Sequence, residues 1–209
     1  PTGLNDLQRL ATGELLYSGV RRTPVCAIVR SLPLQLSEDA EPQLIPIAAE
    51  FFAATQDVHL LTGSLPEEPE CTDTADGRPA TREAALNRLA HQLCCDATDL
   101  APAQLTAAAE FVVEQQLQQL LAAIRRRLNE LASQHPQQSH SIRVLLSGSG
   151  AWLAARALEE PGDPRVIEIL NLSEMFVSGV STCAPAFAVA RLAAERCWDD
   201  LLPLVEWHS

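Results

Sequence analysis

Between Pro102 and Ala132 the residues Leu105, Ala109, Val112, Val113, Leu117, Leu120, Leu121, Ile124, Leu128 and Leu131 recur at three- and four-residue intervals. That spacing places them on one continuous face of a helix. An apolar stripe of this length needs a matching surface, so the rest of the chain is expected to fold around this helix. Its opposite face is rich in glutamine and reads as a solvated surface.

Shorter patterns surround it. Glu14–Ser18 and Val25–Val29 read as strand-like runs on either side of the turn Gly19-Val-Arg-Arg-Thr-Pro24. Ala48, Phe51, Phe52, Thr55, Val58 and Leu61 predict a helix over Ile47–Leu61, ended by Gly63. Thr81 suits the cap of a helix running to about Cys95, with Glu83 in its first turn, where negative charge is favoured. Ser133–His140 is a polar linker. Beyond it, the strand-like run Ile142–Leu146 leads into Ser147-Gly-Ser-Gly150 and a helix starting near Ala151. A second strand-like run, Arg165–Leu170, and a helix from about Ala184 to Trp198 follow. Strands alternating with helices predict an α/β fold, helix-rich with a small sheet.

The balance of 15 basic and 27 acidic residues gives a formal charge of −12. This repels nucleic acid and acidic membrane surfaces, so no nucleic-acid partner is expected. Every basic residue is an arginine. Without lysine the chain cannot form a Schiff base or supply a P-loop cation, and anion recognition must rest on arginine and backbone amides. The six cysteines, Cys26, Cys71, Cys94, Cys95, Cys183 and Cys197, are scattered with no CxxC pair, which fits a reducing cytoplasm. The apolar runs are too short for a bilayer, and no membrane partner is expected. The start at Pro1 has two readings: removal of an initiator methionine, or a missing upstream segment.

Four motifs carry possible chemistry. Strand, Ser147-Gly148-Ser149-Gly150, then helix is an arrangement that brings backbone amides against a phosphate, or else a plain tight turn. It lacks the third small residue of a dinucleotide fingerprint, since Leu153 stands there, and it also lacks the Walker lysine and the first glycine of an esterase elbow. The loop Cys71–Thr81, CTDTADGRPAT, fails the calcium-loop pattern because Thr72 and Thr74 stand where acids belong. Asp73 and Asp76 remain candidates for Mg²⁺ shared with a ligand phosphate, against the alternative of an acidic loop that satisfies its own backbone. Arg21, Arg22 and Thr23 suit an anionic group, or one arginine pairs with a structural carboxylate. His91, Cys94 and Cys95 lie at i, i+3 and i+4, close enough to share a metal, with half-buried apolar cysteines as the default. His59, His135, His140 and His208 sit in no motif.

The succession GELLYSGVRRTPVCAIV, IAAEFFAATQDVHLLTGSLPE, DTADGRPATREAALNRLAHQLC and VLLSGSGAWLA resembles the tetrahydromethanopterin-linked C1-transfer pathway proteins. These are a hydantoinase/oxoprolinase-like branch of the actin-like ATPase superfamily whose archaeal relatives act in methanofuran biosynthesis. The likeness covers nearly the whole chain, although the family's two N-terminal phosphate loops are absent from it. It therefore implies the C-terminal part of an actin-like fold: a remnant of the second-half sheet over 1–35, a helical insertion region over 36–140, and a C-terminal α/β part over 141–209. Ser147, Gly148, Ser149 and Gly150 then match the adenosine-side glycine motif, and Cys183–Arg191 matches a later connecting helix.

The resemblance implies an interdomain cleft in which Arg21, Arg22, Thr23 and Arg78 bind a phosphorylated or diphosphorylated small molecule beside Mg²⁺ on Asp73 and Asp76, with ATP as a further cofactor. The implied reaction joins an aminomethylfuran diphosphate to a tyramine-type phenol with loss of diphosphate. An ATP-dependent amidohydrolase and a non-catalytic partner-binding subunit are the alternatives, and apolar surface exposed on such a part would favour a homodimer.

Overall fold

A computed structural model describes residues 3–37, 41–136, 141–159, 162–176 and 179–196. The long helix is its axis. Helix α5, as numbered in chain order below, spans Pro102–Gln134, 33 residues, or about 50 Å at 1.5 Å per residue. Leu105, Ala108, Ala109, Val112, Val113, Leu117, Leu121 and Leu128 are its buried stripe. Pro102 occupies the first turn, where its missing N–H costs no hydrogen bond.

The first third differs from the strand pattern expected of it. Helix α1 (Asp6–Thr12) is capped by Asn5 and closed by Gly13 in the left-handed region, and it buries nothing. Glu14–Ser18 forms no strand. Val25–Val29 begins instead with the short helix α2 (Val25–Ile28). Val25 and Ile28, three residues apart, are both buried, which a helical turn achieves and an alternating strand does not. Two strands appear where none was read. Strand β1 (Ser31–Leu34) pairs antiparallel with β2 (Gln43–Pro46), opposing Leu32 to Ile45. Each strand holds a proline, which a two-stranded ribbon tolerates because both strands are edges. Leu32 and Leu34 are buried, and β1 packs against α5.

Only the end of the helix expected over Ile47–Leu61 forms, as α3 (Thr55–Leu61). The segment before it is extended and bent because another residue satisfies its backbone. Gln92 uses its carbonyl to accept from Ala48 N–H at 2.9 Å. The Gln92 side chain accepts from Ala53 N–H at 3.2 Å and donates to the carbonyls of Ala48 and Glu50. Every residue of α3 is buried.

Helix α4 (Arg82–Gln92) follows the capping prediction: Thr81 Oγ1 accepts the Ala84 N–H at 3.4 Å. Thr81→Ala is expected to cost about 1 kcal/mol in urea unfolding. Because Cys94 and Cys95 lie past the end of α4, they do not continue its face with His91.

The last part has the expected order. Strand β3 (Ile142–Leu146) leads through the serine–glycine turn to α6 (Ala151–Glu159), and β4 (Val166–Asn171) returns parallel to β3, with Val144 opposite Ile169. Arg165 fixes the start of β4: its side chain grips Asp163 at 2.6 and 2.8 Å and reaches Asn129 of α5 at 2.8 Å. Helices α7 (Leu172–Met175) and α8 (Ala184–Arg196) follow. Trp198, Cys197, His140 and His208 lie outside the described residues. The fold is thus α/β and helix-rich, with two small sheets. Leu153 and Ala157 of α6 join the main core with α3, α4 and α5. Among the described residues no helix is long and apolar enough to cross a membrane. Cys26, Cys71, Cys94, Cys95 and Cys183 are free thiols.

Candidate functional site

The turn Gly19–Pro24 is held from behind by buried polar groups. Gly19 C=O accepts from Thr55 Oγ1 at 2.8 Å and Gln116 Nε2 at 2.9 Å, and Gly19 N–H donates to Thr23 Oγ1 at 2.9 Å. The carbonyls of Arg21 and Thr23 accept from Gln56 and Thr55 N–H at 3.3 and 2.8 Å. With this backbone fixed, the two arginine side chains turn toward the acidic loop.

Arg21 pairs bidentately with Glu68, at 3.0 and 2.5 Å, and Arg22 Nη2 lies 2.7 Å from Asp73 Oδ2. The hydrogen bond to Arg21 holds the Glu68 carboxyl below its usual range, and the same bond raises Arg21. Both arginines therefore have carboxylate partners, where the sequence reading allowed for one. The Arg22–Asp73 pair is loose, with side chains 84% and 72% exposed. Solvent screens such a pair, which leaves little resistance to exchange for a ligand.

The DTADG loop is organised around Asp76. Its Oδ1 accepts from the Arg78 N–H at 3.1 Å and from Arg88 Nη1 at 2.9 Å, while the Thr74 hydroxyl donates to the Arg78 carbonyl at 2.6 Å. Gly77, at φ +73°, supplies the left-handed residue of the turn. Burial alone would raise the Asp76 carboxyl, but the Arg78 amide, Arg88 and Thr74 outweigh it, and it titrates low. Arg78 contributes a longer contact, 3.8 Å from Asp76.

Arg88 was not among the residues read as functional, yet it ties the site to the core. Its side chain is 1% exposed and bridges Asp76 to Asp57, Nε lying 2.7 Å from Asp57 Oδ1. Asp57 in turn accepts the Ala54 N–H at 2.8 Å, capping α3. Burial pushes the Asp57 carboxyl up, against the pull of Ala54 and Arg88. A sequence signal existed: Arg88 falls among Ala84, Ala85 and Leu89 on the apolar side of its helix, where a guanidinium requires a partner. For Glu68 there was no such signal.

The serine–glycine turn reaches the same region. Gly148 adopts φ +87°, and its N–H donates to the Ser181 carbonyl at 2.9 Å and to Ser181 Oγ at 3.1 Å. A Cβ on Gly150 would stand 3.6 Å from Val20 Cγ1, so Ser147–Gly150 lies beside the arginine turn. The Gly148 amide is already committed to Ser181, which leaves fewer donors for a phosphate than the motif offers on paper.

For His91, Cys94 and Cys95 the geometry is less favourable. Cys94 is exposed at φ 58°, Cys95 turns its sulfur to the Ala90 carbonyl at 3.6 Å, and His91 lies 3.9 Å from Asp96. Among the described residues no three His, Cys, Asp or Glu side chains are grouped to hold an ion.

Two clefts meet at Arg22. One, about 370 Å³, is lined by Arg21, Arg22, Phe51, Ala54, Asp73, Thr74 and Ala75. The other, about 500 Å³ and mostly apolar, runs along Leu15–Gly19 and Arg22–Pro24 to Ala27. Paired charges thus line the first cleft and apolar side chains most of the second, with Arg22 common to both.

The comparisons with known proteins are more particular. The chain is 29% identical over 191 residues, 91% of its length, to (4-{4-[2-(gamma-L-glutamylamino)ethyl]phenoxymethyl}furan-2-yl)methanamine synthase of Methanocaldococcus jannaschii. It is 26% identical over 188 residues to the synthase of the same name from Methanococcus vannielii. The chain spans about half the length of the first relative, 52%, and 78% of the second. No protein-family model matches it.

Proposed function

We propose that this chain forms part of an enzyme of methanofuran-type biosynthesis, joining an aminomethylfuran diphosphate to a tyramine-type phenol. The observation that carries this reading is the convergence of Arg21, Arg22 and Asp73 on one cleft, in a chain that resembles two such synthases over nine tenths of its length. In the reaction the phenol oxygen forms an ether bond to the furan methylene carbon. The bond from that carbon to the diphosphate oxygen breaks, its electron pair leaves on the diphosphate, and the phenol proton passes to water.

The residues present suit the leaving group. Arg22, held only by its loose pair with Asp73, would turn its guanidinium to the diphosphate, Arg21 would join it through the N–H groups that Glu68 leaves free, and Arg78 stands at the loop edge, so that charge is neutralised as it develops without any lysine. Mg²⁺ is part of the proposal, and the donor set fits it in part. Asp73 is exposed and holds a single loose partner, whereas Asp76 Oδ1 is already engaged by Arg88 and Arg78. The ion would take Asp73, Asp76 Oδ2 and the ligand's own oxygens, and when bound it would supply further charge neutralisation. An actin-like fold with ATP at Ser147, Gly148, Ser149 and Gly150 is the second reading, favoured by the position of that turn against Val20.

An assay of the complete enzyme with furan diphosphate and tyramine-type phenol decides the matter. Arg21→Ala and Arg22→Ala are each expected to lower turnover about 10- to 100-fold, the usual loss of a charge-assisted hydrogen bond to a phosphate. Unchanged turnover in both would reject the site. Thermal stabilisation by ATP, and none by pyrophosphate, would favour the ATP reading.

A further inference from the structure

The apolar cleft beside Arg22 contains a hydroxyl whose direction the buried network fixes. Gln116 is 2% exposed, and one end of its amide faces the Gly19 carbonyl at 2.9 Å. A carbonyl can only accept, so that end is the NH₂ group. The same nitrogen lies 3.0 Å from Ser18 Oγ and donates to it. The Gln116 oxygen therefore faces His59 Nε2 at 3.1 Å, and that ring nitrogen must carry the proton. Donation runs from His59 to Gln116 to Ser18. Ser18 Oγ receives a hydrogen bond, and its own proton has no partner among the described residues.

Around this hydroxyl the lining is Leu15, Leu16, Tyr17, Pro24 and Ala27. Tyr17, the only tyrosine of the chain, is 83% exposed at the rim and offers an aromatic face. The cleft volume of about 500 Å³ accommodates a substituted ring. The backbone at Gly19 is pinned by Thr55, Gln116 and Thr23, so the cleft is preformed. Arg22 lines both this cleft and the anion cleft.

We propose that the Leu15–Ala27 cleft is an aromatic-ring subsite in which Ser18 donates a hydrogen bond to a ring-bound oxygen. The identity of the ring, the acceptor phenol, rests on the reaction proposed above; the recognition of a hydroxylated over a bare ring does not. A ring held in this cleft shares Arg22 with the cleft proposed for the departing diphosphate.

Calorimetric titration of the complete enzyme with tyramine and with phenethylamine, which lacks the ring hydroxyl, tests this directly. Tyramine is expected to bind about fivefold or more tightly than phenethylamine, the worth of one neutral hydrogen bond in a partly dry site. Ser18→Ala should equalise the two, and Ser18→Thr should preserve the difference. Gln116 keeps its bond to the Gly19 carbonyl in Ser18→Ala, so the fold should persist, and unchanged pyrophosphate binding by that variant verifies it. Equal binding of both amines by the natural protein, a preference that survives Ser18→Ala, or no tyramine binding would each overturn the subsite. If tyramine is preferred through Ser18 but pyrophosphate fails to bind, the diphosphate reading falls and the ring subsite stands.

Discussion

Arg88→Ala is expected to destabilise the protein by about 3–5 kcal/mol, the usual consequence of leaving one partner of a buried ion pair behind. Asp57 is 2% exposed in its side chain and would lose the cation that it pairs with among the described residues. At the same time Asp76 would lose the anchor that joins the DTADG loop to α4. Urea unfolding measures the first effect. The second appears as weaker pyrophosphate binding under conditions where the variant is still folded. Adding Asp57→Ala to Arg88→Ala should recover part of the stability, because the carboxylate left then, Asp76, is partly exposed, whereas Asp57 is buried. It should not recover pyrophosphate binding, since the loop stays untethered. A loss under 1 kcal/mol for Arg88→Ala would show that water reaches Asp57.

Acidification should weaken the fold through His59. This residue is fully buried, its Nδ1 has no hydrogen-bond partner among the described residues, and Trp152 packs edge-on at 5.0 Å. Burial lowers its pKa from 6.5 to about 4. Between those values the unfolded chain binds a proton that the folded chain refuses, so stability falls as pH drops from about 6.5 toward 4. At 1.36 kcal/mol per unit the loss over the whole window is about 3 kcal/mol. His59→Gln should flatten this window, and urea midpoints taken at intervals from pH 7 to pH 4.5 would show it. A pH-independent difference between the two proteins would mean that His59 is hydrated or already charged.

Long-period patterns were legible in the sequence and short-range ones were not. α5, the Thr81 cap, β3, α6, β4 and the bulk of α8 follow from apolar spacing and capping residues. Those features act locally and leave a mark on neighbouring positions. The region up to Leu61 misled because its backbone is satisfied by distant side chains. Gln92 holds Ala48–Ala53 extended, although Ala48, Phe51, Phe52 and Thr55 have helical spacing. The glutamines of α5 are the sharpest correction. They read as a solvated surface, but Gln116 is buried, Gln119 donates to the Ile28 carbonyl and Gln104 to that of Gln35. Composition cannot separate a glutamine that faces water from one that faces a carbonyl. At the site, the proximity of GVRRTP to DTADG was legible only through the family likeness, and the role of Arg88 required the fold.

Those glutamines also govern the order in which the protein assembles. Gln116 reaches back 97 and 98 residues, Gln119 reaches 91 and Gln104 reaches 69. Contacts so distant along the chain close large loops and form slowly compared with the turns of a helix. α5 can wind early from its own local interactions, whereas Ser18, Gly19 and the turn carrying Arg21 and Arg22 settle only after the first hundred residues have come back to meet it. In a refolding experiment the circular-dichroism signal of the helices should therefore recover ahead of ligand binding, with the cleft the last part of the molecule to mature.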